Sequence, residues 1–221
     1  MNINHSETSL VISGAWNPAI LTPQWVLRHG LGKSLDGTNH FQAFLPAGQG
    51  VIFEFPRYVL EDLTFNARPD ALVIVPTATQ QDRISIVEQA AAKMLHELRH
   101  TPVGGVGHNF EFREPNPQPQ QLQVFTDCRQ DLADEMPDGW QPTSATVISS
   151  FTNAINTVVI NMQRHFDAGS VIVKVNFHHP IATVDQALQI LRGENGYLNM
   201  SDNFEMAKSV MTRLYGEIEH D

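Results

Sequence analysis

Leu63-Thr64-Phe65-Asn66-Ala67, Arg68-Pro69-Asp70 and Ala71-Leu72-Val73-Ile74-Val75-Pro76 form the run whose reading decides the fold. Two strand-like segments flank a Pro-Asp turn, which is the pattern of an antiparallel hairpin. Leu63, Phe65 and Ala67 alternate, whereas Leu72 to Val75 is continuously apolar and is expected to be central and covered on both faces. From Gln80 to His100 the period lengthens. Ile84, Val87, Ala91, Met94, Leu95 and Leu98 then share one stripe of a helix, with Thr79 or Asp82 as its cap and Pro102 closing it. A third strand is expected from Val106 to Phe112. Strands paired in sequence, followed by an amphipathic helix, predict an α+β fold with a mainly antiparallel sheet and helices packed on one side.

Working outward toward the N-terminus, Leu10 to Trp16 reads as a strand. Thr22-Pro23 opens a helix that stops at Gly30, with Trp16 and Trp25 packed under it. His40 to Pro46 and Gly50 to Pro56 alternate and predict a hairpin through Ala47-Gly48-Gln49-Gly50.

In the other direction, Glu114 to Gln121 is a Pro/Gln-rich connector. Asp127 to Met136 reads as a short helix. Its Asp127, Asp131, Asp134 and Glu135, with Asp138, make a solvated acidic face, since they lack the ligand spacing of a calcium loop. Strands are expected at Thr146 to Thr152, Val158 to Phe166 and Val171 to Phe177, the last two joined by Asp167-Ala168-Gly169. A short helix from Val184 to Leu191 ends at Gly193. A final helix, capped by Ser201, carries Phe204, Ala207, Val210, Met211 and Leu214 on one stripe.

The order of elements repeats. Asp70-Ala71 and Val87-Glu88-Gln89-Ala90 return as Asp167-Ala168 and Val184-Asp185-Gln186-Ala187. This points to a single domain of two similar β-β-α halves, residues 1–113 and 122–221, joined by the connector 114–121.

The chain has 221 residues, with 14 Lys and Arg against 24 Asp and Glu, a formal charge of −10. That sign disfavours nucleic acid and anionic membranes as partners. Cys128 is the single cysteine, so no disulfide forms within the chain, and its surroundings carry no cysteine-protease signature. Met1 to Ser9 lacks the basic start and apolar run of a secretory signal, and no apolar stretch approaches the ~20 residues that span a bilayer. The expected location is the cytoplasm.

One motif has chemical content: His96-Glu97-Leu98-Arg99-His100, an HExxH. Two histidines at i and i+4 on a helix can hold Zn²⁺ while the glutamate takes a proton from the bound water. With His108 downstream, the segment resembles the metzincin form HExxHxxGxxH. It departs from that form where Val103 and Val106 occupy the glycine and third-histidine positions, at Arg99, and at Pro102. At about 100° per residue, His96 and His100 fall opposite the apolar stripe, so the sheet side of the helix excludes them. The expectation is therefore no metal, no cofactor and no catalytic residue. A zinc hydrolase using Glu97 as base and His96 and His100 as ligands is the alternative.

Gly104, Gly105 and Gly107 predict a bulge or a close approach of backbone. A phosphate loop would precede a helix, whereas these glycines follow one. His178 and His179 close a strand on opposite faces, with solvent contact expected for both. No nucleophile elbow, P-loop or dinucleotide fingerprint occurs. The functional expectation is a non-enzymatic binding or assembly protein, with a protein partner or a second copy pairing at an exposed strand edge as a homodimer. A small-molecule binder using a cleft between the two halves is a further alternative.

Overall fold

The structure, a computed structural model, describes residues 1–34, 41–44, 55–137, 140, 143–153, 157–167 and 169–218, with backbone alone at 127–134. Ten strands and five helices occur among them. In chain order these begin with β1 (Asn2–Ile3), a 3₁₀ turn (His5–Glu7), β2 (Ser9–Gly14) and α1 (Pro23–Trp25), which runs on into a π-helical segment (Val26–Leu31). Strands β3 (Gln42–Phe44), β4 (Arg57–Val59), β5 (Leu63–Ala67) and β6 (Ala71–Pro76) follow, then α2 (Gln81–Glu97) and β7 (Val103–Glu114). The remainder is α3 (Pro119–Asp134), β8 (Ser144–Thr152), β9 (Val159–Asp167), β10 (Ser170–Pro180), α4 (Val184–Arg192) and α5 (Met200–Tyr215).

All strand pairs are antiparallel, in one sheet ordered β3-β4-β5-β6-β2-β7-β10-β9-β8, with β1 also paired to β7. Outward from the central β2–β7 pair, each flank is a meander entered from its last strand: four strands, β6-β5-β4-β3, on one side and three, β10-β9-β8, on the other.

Alternation decides which face is covered. Leu10 and Ile12 of β2, Leu63, Phe65 and Ala67 of β5, Leu72 and Ile74 of β6, Val106, Phe110 and Phe112 of β7, and Val171, Val173, Val175 and Phe177 of β10 are all buried. The helices lie over that face: α2 on β6, α5 and α4 on β7, and α3 on β8. A phenylalanine as buried as Phe65 or Phe110 is worth on the order of 2–3 kcal/mol. No described helix is long and apolar enough to cross a membrane.

Several boundaries differ from expectation, each for a local reason. Strand β6 lies in the interior of the sheet but is covered on one face only, because among the described residues no α-helix packs on the other. Val73 and Val75 there are half-buried. Helix α2 stops at Glu97, not His100, as Leu98 leaves helical geometry (φ −112°, ψ 46°) and the chain turns toward Pro102. Its N-cap is Gln80, with no side-chain capping bond from Thr79 or Asp82.

The expected connector is largely absorbed. β7 runs to Glu114, and Pro119 opens α3, since a proline's missing N–H costs nothing at the first helical position. The helix begun at Pro23 continues past Gly30 to Leu31 and is closed by Gly32 at φ +69°. Helix α5 is capped by Asn199, whose side chain accepts from Asp202 N, and Ser201 lies inside the helix. In the segment expected to form an N-terminal hairpin, β3 pairs with β4. Its turn at Ala47–Gly50 and its second strand up to Glu54 lie outside the described residues.

Candidate functional site

The HExxH residues sit at a helix end and no longer share a helical face. Among the three, His96, Glu97 and His100 are exposed. The Arg99 guanidinium lies 2.7 and 2.9 Å from the two ring nitrogens of His96. Glu97 approaches His29, 3.8 Å from Nδ1. His96 and Glu97 line a shallow cleft of about 370 Å³ with Arg28, His29, Gly32, Ala92, Lys93 and Arg192, and His100 is not among its walls. His108 is fully buried on the covered face of β7, away from this surface. Among the described residues, no group of three or more His, Cys, Asp or Glu side chains converges to hold a metal.

A second polar cluster lies in the core, and sequence reasoning missed it. His108 on β7 and His179 on β10 both face the helices, with ring centroids 5.3 Å apart. His179 was expected to meet solvent. Instead β10 keeps its alternation for two residues past Phe177, so the ring follows Val173, Val175 and Phe177 inward, and His178 alone is partly exposed. Asn203 of α5 joins the two rings: its Nδ2 donates to His108 Nδ1 at 2.9 Å and stands 3.5 Å from His179 Nε2. Burial, with His179 nearby, pushes the His108 pKa well below its ordinary value; burial, with His178 nearby, lowers that of His179 to about 4.

Beside this cluster the buried Glu88 of α2 receives bonds from Met200 N (2.5 Å), Ser201 N (3.3 Å) and Ser201 Oγ (3.1 Å). A carboxylate thus closes the N-terminus of α5, where unpaired N–H groups and the helix dipole both favour negative charge. Desolvation raises its pKa, opposed by those same bonds. The signal for Glu88 was present only as a polar residue next to the apolar stripe, one position after Val87.

The uncovered face of the sheet carries the most extensive polar arrangement. Ser150, Asn161, Asn176, Asn109 and Ser9 stand in register on β8, β9, β10, β7 and β2. Each side chain donates to the next in one direction: Ser150 Oγ to Asn161 Oδ1 (2.8 Å), Asn161 Nδ2 to Asn176 Oδ1 (3.4 Å), Asn176 Nδ2 to Asn109 Oδ1 (2.8 Å) and Asn109 Nδ2 to Ser9 Oγ (3.2 Å). Bonds aligned head to tail polarise one another.

Next to this row is a groove of about 480 Å³. Asn4, Glu7, Glu111 and Arg113 form one side, and Thr146, Gln163, His165, Ile172 and Lys174 the other. Glu111 is buried at its floor, held by Asn4 Nδ2 (2.7 Å) and Lys174 Nζ (3.3 Å).

Strand β8 forms the outer edge of this face. Ser144 to Thr152 contains no charged residue and no proline, and no described strand pairs with its outer side. Ile148 is 67% exposed and Phe151 54%. Of the acidic group expected at 127–138, Glu135 is exposed and the other four side chains, like that of Cys128, lie outside the described residues. No protein-family model matches the chain and no curated protein is significantly similar to it, so the functional reading rests on this geometry.

Proposed function

We propose that the protein is a non-enzymatic binding and assembly protein that pairs with a second copy of itself along β8. The observation that carries this reading is the free edge: nine residues, Ser144–Thr152, uncharged in a chain of net charge −10. An edge strand presents unpaired N–H and C=O groups, and edges left solvent-exposed usually carry Lys, Pro or a bulge that blocks pairing. β8 has none of these, and its register with β9 is unbroken.

A copy of the same chain suits the edge because two molecules this acidic repel except where their contact is neutral. Antiparallel pairing about a twofold axis at Ile148 sets Ile148 against its equivalent and Phe151 against Ala145 of the other copy. No like charges oppose one another in that register.

Light scattering coupled to size exclusion tests this reading. A mass of twice 24.7 kDa is expected at micromolar concentration, and Ile148→Lys should return the single-chain mass with an unchanged circular-dichroism spectrum, since Ile148 is largely exposed. A wild-type protein that stays monomeric as concentration rises removes the proposal.

The groove beside Glu111 supports a second reading, a binder of small zwitterionic molecules. Its walls come from both sides of the chain, residues up to Arg113 and residues from Thr146 on, and they offer both signs of charge: Arg113 and Lys174 with Glu7 and Glu111. A thermal shift with free amino acids or dipeptides, lost in Arg113→Ala, is the expected result. Absence of any shift across that panel ends this reading.

A further inference from the structure

The cleft at the end of α2 is built from three helices and is rich in cations. Arg28 and His29 come from the π-helical segment, Lys93 and His96 from α2, and Arg192 from the last turn of α4. Close packing brings the first two elements together. A Cβ on Gly30 would stand 3.3 Å from Met94 Cγ, so glycine allows the segment to lie directly on α2. Trp25 stacks on the His29 ring, with centroids 4.8 Å apart, and fixes its plane.

Carboxylate pairing varies over the molecule. Lys33, Arg68, Arg83, Lys174 and Lys208 each stand within 4.0 Å of a carboxylate. Among the described residues Arg57, Arg99, Arg113, Arg164 and Arg213 have no carboxylate within 4.0 Å, and neither do Arg28, Lys93 and Arg192 of this cleft. Among the described residues that line the cleft, the one acid, Glu97, is directed toward His29. A π-helical segment is also uncommon in its own right, since its i→i+5 bonds are rare and occur frequently at functional sites.

From the convergence of Arg28, Lys93 and Arg192 on one concavity we infer that this cleft binds a phosphate-type oxyanion, free or as a phosphate monoester. Two guanidinium forks and an ammonium supply the bidentate and point-charge donors that such an anion takes. Cations near helix C-termini also answer the helix dipole. That explanation predicts an effect on stability and no saturable binding, so the two separate by experiment.

Isothermal titration of the full chain at low ionic strength, with inorganic phosphate and with glycerol phosphate in separate arms and sodium chloride as the control, provides the test. Saturable binding in the phosphate arm assigns the oxyanion alone as the ligand; binding in the glycerol phosphate arm only assigns the ester. In either case Arg28→Ala and Arg192→Ala should each weaken binding by about tenfold or more, as loss of a charge-assisted bond implies. Lys208→Ala, outside the cleft, should leave it unchanged. No saturation in either phosphate arm, or equal weakening by Lys208→Ala, overturns the assignment. Arg28 and Arg192 are exposed, so the variants retain the fold, and circular dichroism verifies that.

Discussion

The two faces of the sheet use the same strands for different ends. On the covered face, residues alternating along β7 are Val106, His108, Phe110 and Phe112, all buried. On the other face the intervening residues include Gly107, Asn109, Glu111 and Arg113, and polar side chains bond to one another across five strands. The covered face therefore holds most of the buried apolar side chains, whereas the open face carries polar side chains bonded to one another, with Glu111 buried among them. Substitutions on each face measure how complete that division is.

The largest effect is expected at Phe110. Its ring meets Phe177 and Phe204, at centroid distances of 5.9 and 5.2 Å, so it links β7 to β10 and α5. Phe110→Ala should cost about 3–5 kcal/mol, read as a fall in the urea midpoint at constant slope. A loss below about 1 kcal/mol would mean that α5 is not held on the sheet as described.

Acid should act on the same face. His108 and His179 are held neutral by burial, so their folded pKa values lie below the unfolded value near 6.5. Below pH 6.5 the unfolded chain takes up protons that the folded chain refuses. Stability is therefore complete above that pH and declines as pH falls toward about 4, by up to about 1.4 kcal/mol per pH unit for each ring. Glu88 works in the opposite sense, because its raised pKa favours the folded state as pH falls. Urea midpoints at several pH values, compared with those of His179→Gln, isolate the histidine contribution: the variant should show a shallower decline. An equal slope in both proteins would place the His179 ring in contact with solvent.

These contrasts also explain what was legible in the sequence. The strands β5, β6, β7 and β10 and the buried stripe of α2 follow from alternation and helical period, which are local. The fate of His179 was encoded by that same alternation, had it been continued two residues beyond Phe177. The bond from Glu88 to Met200 and Ser201 spans more than a hundred residues, and no local pattern marks it. Pro119 marked the start of a helix but sat in a Pro/Gln-rich segment whose composition suggested a linker. The HExxH spelling was visible, but the helix end at Glu97 depends on how the chain turns into β7. The β8 sequence is plainly uncharged; its position at the sheet edge comes from the strand order, which one sequence does not specify.

The smallest effect is expected at Asn176, in the middle of the open-face row. Its side chain accepts from Asn161 and donates to Asn109, both on a face that no described α-helix covers. Water competes for these groups, so each bond contributes roughly 0.5–1 kcal/mol at most. A β-branched residue recovers up to about 1 kcal/mol of strand preference, so Asn176→Val should leave the urea midpoint nearly unchanged. Solubility should respond instead. Val11, Val73, Val75 and Ile172 already place apolar atoms on this face, and a valine among them enlarges an exposed patch of the kind that drives association. Light scattering at rising concentration should show the variant self-associating where the wild type does not grow beyond its own assembly. A loss of more than about 2 kcal/mol, well above one such bond, would instead mean that the row supports folding as the covered face does.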